Sequence, residues 1–394
     1  MRNHFDDGPM TSSQRPRRRA ARSATVAALA VSAALLFAAC GSSDGAVSES
    51  TSDSSSESGG ANSDLRVVMI LDGTIDDGGW SNAHYKGGEA IAAAFPGSTV
   101  DYVEEIAPGQ TATNAFEDAV ASGADVVIGA TFYQDDMMGV AEANPDVVFL
   151  TWAGYEIAPN VGHFDGASED GRYLDGIVAG SLTESNIIGY AVGFPYNEVN
   201  RAVNAFTLGA QSVNPDVEVK VVYVNTWFDP AVEQQAAEAL VNAGADVLAH
   251  EVGAQVYATV AAQAGGYVIG YTNDWSQIEP EAWASSFLYD WAPYYVSQVQ
   301  AVVDGTWEPA ITFGGLADGF IGFAPYGPSV TPEILAEVDA AKAGIIDGSL
   351  DMFAGPIYDN AGNLVIAEGE TIPFDQRIEC CQWLVEGVSG EIPG

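Results

Sequence analysis

Four stretches of this chain set an aromatic ring within three residues of a carboxylate: Asp77 with Trp80, Phe132 with Asp135, Trp227 with Asp229, and Asp274 with Trp275. Aromatic faces hold flat or cationic groups, and stacking on a base contributes about 1–3 kcal/mol. Carboxylates accept hydrogen bonds from amino and hydroxyl groups and repel anions. The chemistry on offer is therefore non-covalent recognition of a small, flat, donor-rich ligand, neutral or cationic. Each residue also has a plainer use. Asp229 precedes Pro230, the pattern of a helix cap and first helical residue. Asp76 and Asp77 can order a turn, Asn82 can cap a helix, and Trp227 can pack in a core. Trp80, beside Gly78-Gly79, suits a cleft better than a core.

Residues for covalent chemistry are missing. There is no G-x-S-x-G elbow, no P-loop and no G-x-G-x-x-G after the first strand. His250-Glu251 opens like H-E-x-x-H, but Ala254 stands where the second histidine belongs, and the four histidines have no metal-like spacing. Scattered carboxylates in so acidic a chain read as solvated surface rather than a glycosidase pair. The expectation is a binding protein with no catalytic residue, metal or cofactor.

Charge narrows the ligand further. The 394 residues contain 54 acidic and 13 basic side chains, a net charge of −41. Two of those acids and six arginines precede Cys40, so the remainder carries 52 against 7, a net of −45. Such a surface repels nucleic acid and anionic lipid and suits a salty medium that screens self-repulsion over about 8 Å or less. With so few cations, a phosphate-rich ligand is not expected.

Alternating elements position the aromatic and acidic pairs. Leu65 to Leu71 is an apolar run suited to a parallel strand covered on both faces. Ala83, Gly87, Ala90, Ile91, Ala94 and Phe95 then recur at helical spacing up to Pro96-Gly97. A strand near 100–104, a helix near 111–122 and strands at 126–128 and 147–152 follow. The pattern restarts with a strand at 186–192, a helix at 199–212, a strand at 217–224, a helix after Pro230, and strands at 246–249 and 267–272. Ser122-Gly123-Ala124-Asp125-Val126-Val127 is echoed by Ala243-Gly244-Ala245-Asp246-Val247-Leu248. This order predicts an α/β fold of two doubly wound, Rossmann-like lobes joined by several crossings, with the cleft at the carboxyl ends of both sheets. Helices at 292–304 and 332–343 and a crossing loop at 314–319 complete it. The lobes are 65–185 plus 285–315, and 186–284 plus 316–394.

The first 64 residues read as targeting and tether. Arg15, Arg17, Arg18, Arg19 and Arg22 precede an apolar stretch, Ala24 to Ala39, shorter than the ~20 residues that span a bilayer. Leu36-Phe37-Ala38-Ala39-Cys40 resembles a bacterial lipobox, with Phe37 where Leu, Val or Ile is usual. Residues 1–40 are thus expected to be a signal peptide, with Cys40 as the lipidated residue; an ordinary signal cleaved nearby is the alternative. Ten of the next twenty-four residues, 41–64, are serine, the composition of a disordered tether. Adjacent Cys380 and Cys381 form no disulfide framework; with consecutive Cα atoms about 3.8 Å apart a vicinal bridge would be strained, though it stays open for a protein outside the cell.

Four motifs in consistent order carry a family resemblance. Gly73-Thr74-Ile75-Asp76-Asp77-Gly78-Gly79-Trp80-Ser81-Asn82, Asn225-Thr226-Trp227-Phe228-Asp229-Pro230, Ile269-Gly270-Tyr271-Thr272-Asn273-Asp274-Trp275-Ser276-Gln277 and Gly315 to Gly322 resemble loops of the basic membrane lipoprotein family. These are purine-nucleoside-type substrate-binding proteins of ABC transporters with a type I periplasmic-binding-protein fold. The resemblance implies a purine base stacked between Trp80 and Trp227 with Phe228 nearby. Asn82 and Asp274 would bond the base or sugar, Gly253 would permit close backbone approach, and Thr131 to Asp135 would form a wall. The nucleoside binders carry a lysine near where Tyr289 stands here, so a free nucleobase is as open as a nucleoside. The implied protein is an extracytoplasmic, lipid-anchored monomer serving an ABC permease. A receptor docking to a signalling partner, or a binder of a quaternary ammonium compound, would have the same outline.

Overall fold

In the computed structural model, which describes residues 65–393, β-branched runs form strands and Ala/Gly-rich amphipathic runs form the helices between them. The first half comprises β1 (Arg66–Ile70), α1 (Trp80–Ala94), β2 (Thr99–Val103), α2 (Gln110–Ala121), β3 (Val126–Gly129), α3 (Gln134–Ala143), β4 (Val148–Trp152), β5 (Val161–Gly166) and α4 (Ser168–Leu182). The alternation restarts with β6 (Ile187–Val192), α5 (Asn197–Val213), β7 (Glu218–Tyr223), α6 (Pro230–Asn242), β8 (Val247–Glu251), α7 (Val256–Ala264), β9 (Tyr267–Ile269) and β10 (Trp283–Ser285). Crossing elements follow: β11 (Phe287–Tyr289), α8 (Ala292–Val303), β12 (Ile311–Gly314), β13 (Ile321–Phe323) and α9 (Pro332–Asp347). The chain ends in β14 (Ile357–Tyr358), β15 (Leu364–Ile366), a 3-10 turn (Phe374–Glu379) and β16 (Val388–Ser389). Cys40, the signal and the tether lie outside the described residues.

Two parallel six-stranded sheets result, ordered β12-β5-β4-β3-β1-β2 and β10-β9-β8-β6-β7-β16. The antiparallel pair β11–β13 lies where the chain passes between them. This is the expected α/β class of two doubly wound lobes. α8 returns to pack on α1 of the first lobe, where the His84 imidazole meets the Tyr295 hydroxyl at 2.6 Å. No helix among the described residues is long and apolar enough to cross a membrane. Cys380 and Cys381 are joined by a cis peptide, and their sulfur atoms form a vicinal disulfide.

Hydrophobic periodicity identifies neither α3 and β5 nor α4. The last carries Glu169, Asp170, Arg172 and Asp175, yet is buried on nearly every face. It packs on α5 and α9 at the seam between the sheets. The approach to α5 is so close that a Cβ at Gly176, Gly180 or Gly209 would collide with backbone of the facing helix. The charges on α4 persist because each has a partner. Arg172 donates to Glu251 (3.1 Å), to the Gly270 carbonyl (2.9 Å) and to the His250 carbonyl (2.5 Å). Glu169 pairs with Arg201 at 2.8 Å. Asp175 accepts from the Ser285 hydroxyl and the Phe287 amide.

Replacing Arg172 with Leu leaves Glu251 and Asp175 as uncompensated buried carboxylates. A loss of about 3–5 kcal/mol in unfolding free energy is expected. It should read as a lower denaturant midpoint at unchanged slope, with much of the loss recovered on adding Glu251→Gln and Asp175→Asn.

Candidate functional site

Loops at the carboxyl ends of both sheets enclose a cavity of about 990 Å³. The first lobe contributes the loop after β1 (Asp72 to Ser81), Thr131 and Phe132 after β3, and Trp152 at the end of β4. The second lobe contributes Glu198, the Trp227–Phe228 loop after β7, the Val252–Val256 turn after β8, and Tyr271, Thr272, Asn273 and Trp275 after β9. Thus each lobe supplies aromatic and polar side chains to one space. The lobes also meet beside it: Phe132 and Tyr196 have ring centroids 5.8 Å apart.

Six of the ten site residues read from the sequence line this cavity: Asp77, Trp80, Phe132, Trp227, Phe228 and Gly253. Trp80 is fixed by its indole N–H, which donates to the Ala130 carbonyl at 2.8 Å. Its ring stands edge-on to Trp152, 4.9 Å between centroids, and to Tyr289 at 5.5 Å. Tyr289 is buried behind it, stacked on Trp291. Trp227 packs on Phe194 and Tyr196 and is 39% exposed, while Phe228 is 66% exposed. Gly253 donates its N–H to the Trp227 carbonyl, and a Cβ there would touch Phe228 at 3.0 Å. Its close approach is therefore to the aromatic loop.

The other four residues lie outside the lining, and local hydrogen bonding explains why. Asn82 donates its side-chain amide to the Ile75 carbonyl (2.7 Å), closing the loop that Trp80 follows. Asp229 caps α6 by accepting from Ala231 and Val232. Asp274 is exposed and accepts from the Ser276 amide in a local turn. Asp135 is exposed in the first turn of α3, where a negative charge suits the helix dipole. Asp77, though in the lining, has its carboxylate occupied by the amides of Gly79, Ser81 and Asn82.

Sequence reasoning singled out Trp275 as a ring beside Asp274 but missed the polar groups with bonding capacity left over. Thr272 and Asn273 are each 4% exposed, and Thr272 Oγ1 and Asn273 Oδ1 have no partner within the protein. The indole N–H of buried Trp275 is likewise unpartnered. All three residues line the cavity. A backbone signal accompanies them. Of the five non-glycine residues with positive φ among the described residues, Glu105 and Thr272 line the cavity, Asn225 leads into the Trp227 loop, and Ala153 follows Trp152. Positive φ is unusual for β-branched Thr272, and such outliers gather where a loop is held for function.

The cavity is also acidic. Asp72, Asp77, Glu105 and Glu198 line it, and among the described residues no Lys, Arg or His does. Asp72 is open to water inside the cavity but walled by protein, and that burial, reinforced by the nearby Asp77 charge, pushes its pKa up to about 6. Burial, then the charge of Asp165, raises Glu198 to about 8 against the pull of Arg201. Both groups would gain from a ligand that presents N–H donors or a positive charge.

Comparison with known proteins agrees with this geometry. Residues 65–347 match the family described as ABC transporter substrate-binding protein PnrA-like. A purine-binding protein of Brucella abortus is 31% identical over 336 residues, covering 84% of this chain and 95% of its own. A Haloferax volcanii protein, named for glucose binding in an ABC transporter, is 35% identical over 330 residues, 84% of this chain and 81% of its own. Among solved structures, a solute-binding protein of an ABC transporter system from Conexibacter woesei has a TM-score of 0.64 at 24% identity. That match covers 73% of this chain and 98% of the other.

The raised carboxylates fix the sign of a pH effect. An acid whose pKa is higher in the folded state binds more protons folded than unfolded, so stability falls as pH rises from about 4 to the folded value. For Glu198 the loss is complete above about 8. Glu198→Gln should therefore raise the melting temperature of ligand-free protein at pH 8.5 and leave it nearly unchanged at pH 4. Equal shifts at both pH values would refute the assignment.

Proposed function

The chain belongs to the PnrA-like family of ABC transporter substrate-binding proteins, and from that premise we propose that it is a lipid-anchored purine receptor. On this reading it delivers a nucleobase or nucleoside to an ABC permease. As a substrate-binding protein of an importer it works outside the cytoplasm and binds its ligand without altering it. Cys40 would carry the lipid, the serine-rich 41–64 segment would be the tether, and the binding unit would act as a monomer.

The observation that carries the ligand assignment is a cavity combining aromatic rings from both lobes with carboxylates and no cationic side chain. A purine base offers two faces for stacking and an edge of N–H donors and ring-nitrogen acceptors. Trp80 of the first lobe and Trp227 with Phe228 of the second are the stacking groups. Asp72 accepts from the base edge, while Thr272, Asn273 and Trp275 supply the unpartnered hydroxyl, carbonyl and N–H. The absence of Lys or Arg disfavours nucleotides, since a phosphate would meet only carboxylates. The Brucella relative, named as purine-binding, supports the same class. A hexose is the second reading, favoured by the Haloferax relative and by the fit of hydroxyl donors to carboxylates.

A thermal-shift panel of adenine, adenosine, glucose and glycine betaine separates these readings. At about 100 times its dissociation constant a ligand adds roughly 2.7 kcal/mol, enough to raise the melting temperature by several degrees. The expected result is a shift with adenine or adenosine, greatly reduced in Trp227→Ala. Base against nucleoside then decides whether the ribose is recognised. A response to glucose alone would keep the binding-protein assignment and discard the purine.

A further inference from the structure

Residues 348–393 lie beyond the family-matched 65–347, yet they are built into the described core rather than trailing from it. Phe353, Ile357, Ile366, Leu384, Val385 and Val388 are all buried in the main apolar cluster. One end of the segment is fixed to the second lobe. β16 adds to β7 as the edge strand, with Val388 opposite Val219. A row of α5 side chains binds its backbone: Asn197 donates to the Glu379 carbonyl, Asn200 to Cys381, Asn204 to Trp383 and Gln211 to Glu386. In return the Val385 amide donates to Asn204.

Its 3-10 turn, Phe374–Glu379, reaches across to the first lobe and the crossing chain. The Phe374 ring lies 4.9 Å from Phe313 of β12, a strand of the first sheet, and within 3.4 Å of where a Cβ on Gly315 would stand. Arg377 pairs with Asp351 at 2.8 Å and lies 3.8 Å from Asp170 of α4. Asp170 in turn accepts from the Leu316 amide, the start of the crossing loop. Arg201 of α5 donates to the Arg377 carbonyl and places its guanidinium over Phe313. Between these anchors, Ile378 walls a smaller cavity of about 350 Å³ at the cleft margin, together with Phe132 of the first lobe and Tyr196 and Glu198 of the second.

The geometry points to the 348–393 segment as a strap over the hinge that sets how far the two lobes close, with Phe374 as its positioning residue on the first lobe. A segment tied to α5 and β7 from Glu379 onward and pressed on β12 and the crossing loop by the turn just before it must shift one of these contacts when the lobes rotate apart. The contact that can slide is the Phe374–Phe313 pair, because Phe374 is 38% exposed and meets β12 through ring contact alone, whereas at the α5 side the buried amides of Asn200 and Asn204 hold the Cys381 and Trp383 carbonyls. Loss of the ring pair therefore releases the closed arrangement without touching the ligand cavity. The strap works on closure whatever ligand the cavity takes.

Phe374→Ala and Phe374→Tyr in the full-length protein test this. An aromatic pair is worth roughly a two- to tenfold change in an equilibrium. In Phe374→Ala the ligand-free protein should show a larger radius of gyration by small-angle scattering. Hydrogen exchange at the Leu316 and Phe320 amides should be about two- to tenfold faster, and Phe374→Tyr should match the parent in both. With adenine as probe, the dissociation constant should rise by the same factor, through faster release. A protein that binds no adenine would count against the purine reading alone, since scattering and exchange still read the strap. Unchanged scattering and exchange in Phe374→Ala, alongside a lowered melting temperature, would reduce the segment to a stabilising patch and overturn the proposal.

Discussion

A guanidinium with no access to water is the constraint on which this architecture depends. Arg172 is fully buried on α4 and lies over three rings, Tyr190, Tyr271 and Phe287, at 4.9–5.4 Å from their centroids. Removing a charge from water is tolerable only when hydrogen bonds and opposite charge replace hydration. Here the replacement comes from the carboxyl ends of β8 and β9, through the carbonyls of His250 and Gly270 and the carboxylate of Glu251. Those strand ends lead directly into the cavity loops, and Tyr271 is itself in the lining. The same helix holds β10 and β11 through Asp175 and the crossing loop through Asp170. One buried helix thereby fixes the floor of the second lobe and the segments that join it to the first.

The distribution of cations follows from that constraint. Of the seven basic residues after Cys40, Arg172, Arg201 and Arg377 are buried at the seam between the lobes. Only Arg66, Lys86, Lys220 and Lys342 remain nearer the surface of a chain with 52 acids. The cavity receives none. Its electrostatic character is thus set by the hinge having taken the arginines, and anionic ligands are disfavoured before any specific contact forms. The acidic exterior tolerates its self-repulsion best in a medium salty enough to screen it.

How much of this was legible in the sequence depended on what each residue bonds. Strands rich in Val and Ile, and helices stopped by Gly, declared themselves by period, and the central strands of both sheets follow from them, but not β5, β10, β12 or β16. α4 did not, because a helix buried on all sides by ion pairs carries charges where periodicity expects apolar residues; only its partners, 32 to 98 residues distant, make Glu169 and Arg172 interior groups. At the site, the aromatic residues Trp80, Phe132, Trp227 and Phe228 line the cavity. Most of the carboxylates and amides lie outside it, because Asp and Asn serve equally as caps. Asp229, Asp274 and Asn82 have local amides or carbonyls within reach and are satisfied there. Thr272 and Asn273 sit next to Asp274 in the chain, but the turn at Thr272 leaves them facing the cavity with atoms unbonded. A positive φ at a β-branched residue is the signal that marks them, and it exists only in three dimensions.

These unsatisfied atoms bear on how binding and closure are coupled. Partnerless buried oxygens, a Thr in the left-handed region and carboxylates pushed toward neutrality are each unfavourable in the ligand-free cavity. The surrounding core over-determines the loops, so they do not relax outward to recover the loss. A ligand that satisfies these groups gains more than its contacts alone would give. It gains most when the lobes are together, since Asp72 belongs to one lobe and Thr272 and Asn273 to the other. On the proposed reading, closure would be favoured by bonds that span the cleft rather than by contact within either lobe. The hinge need only keep the closed arrangement accessible for a small ligand to select it.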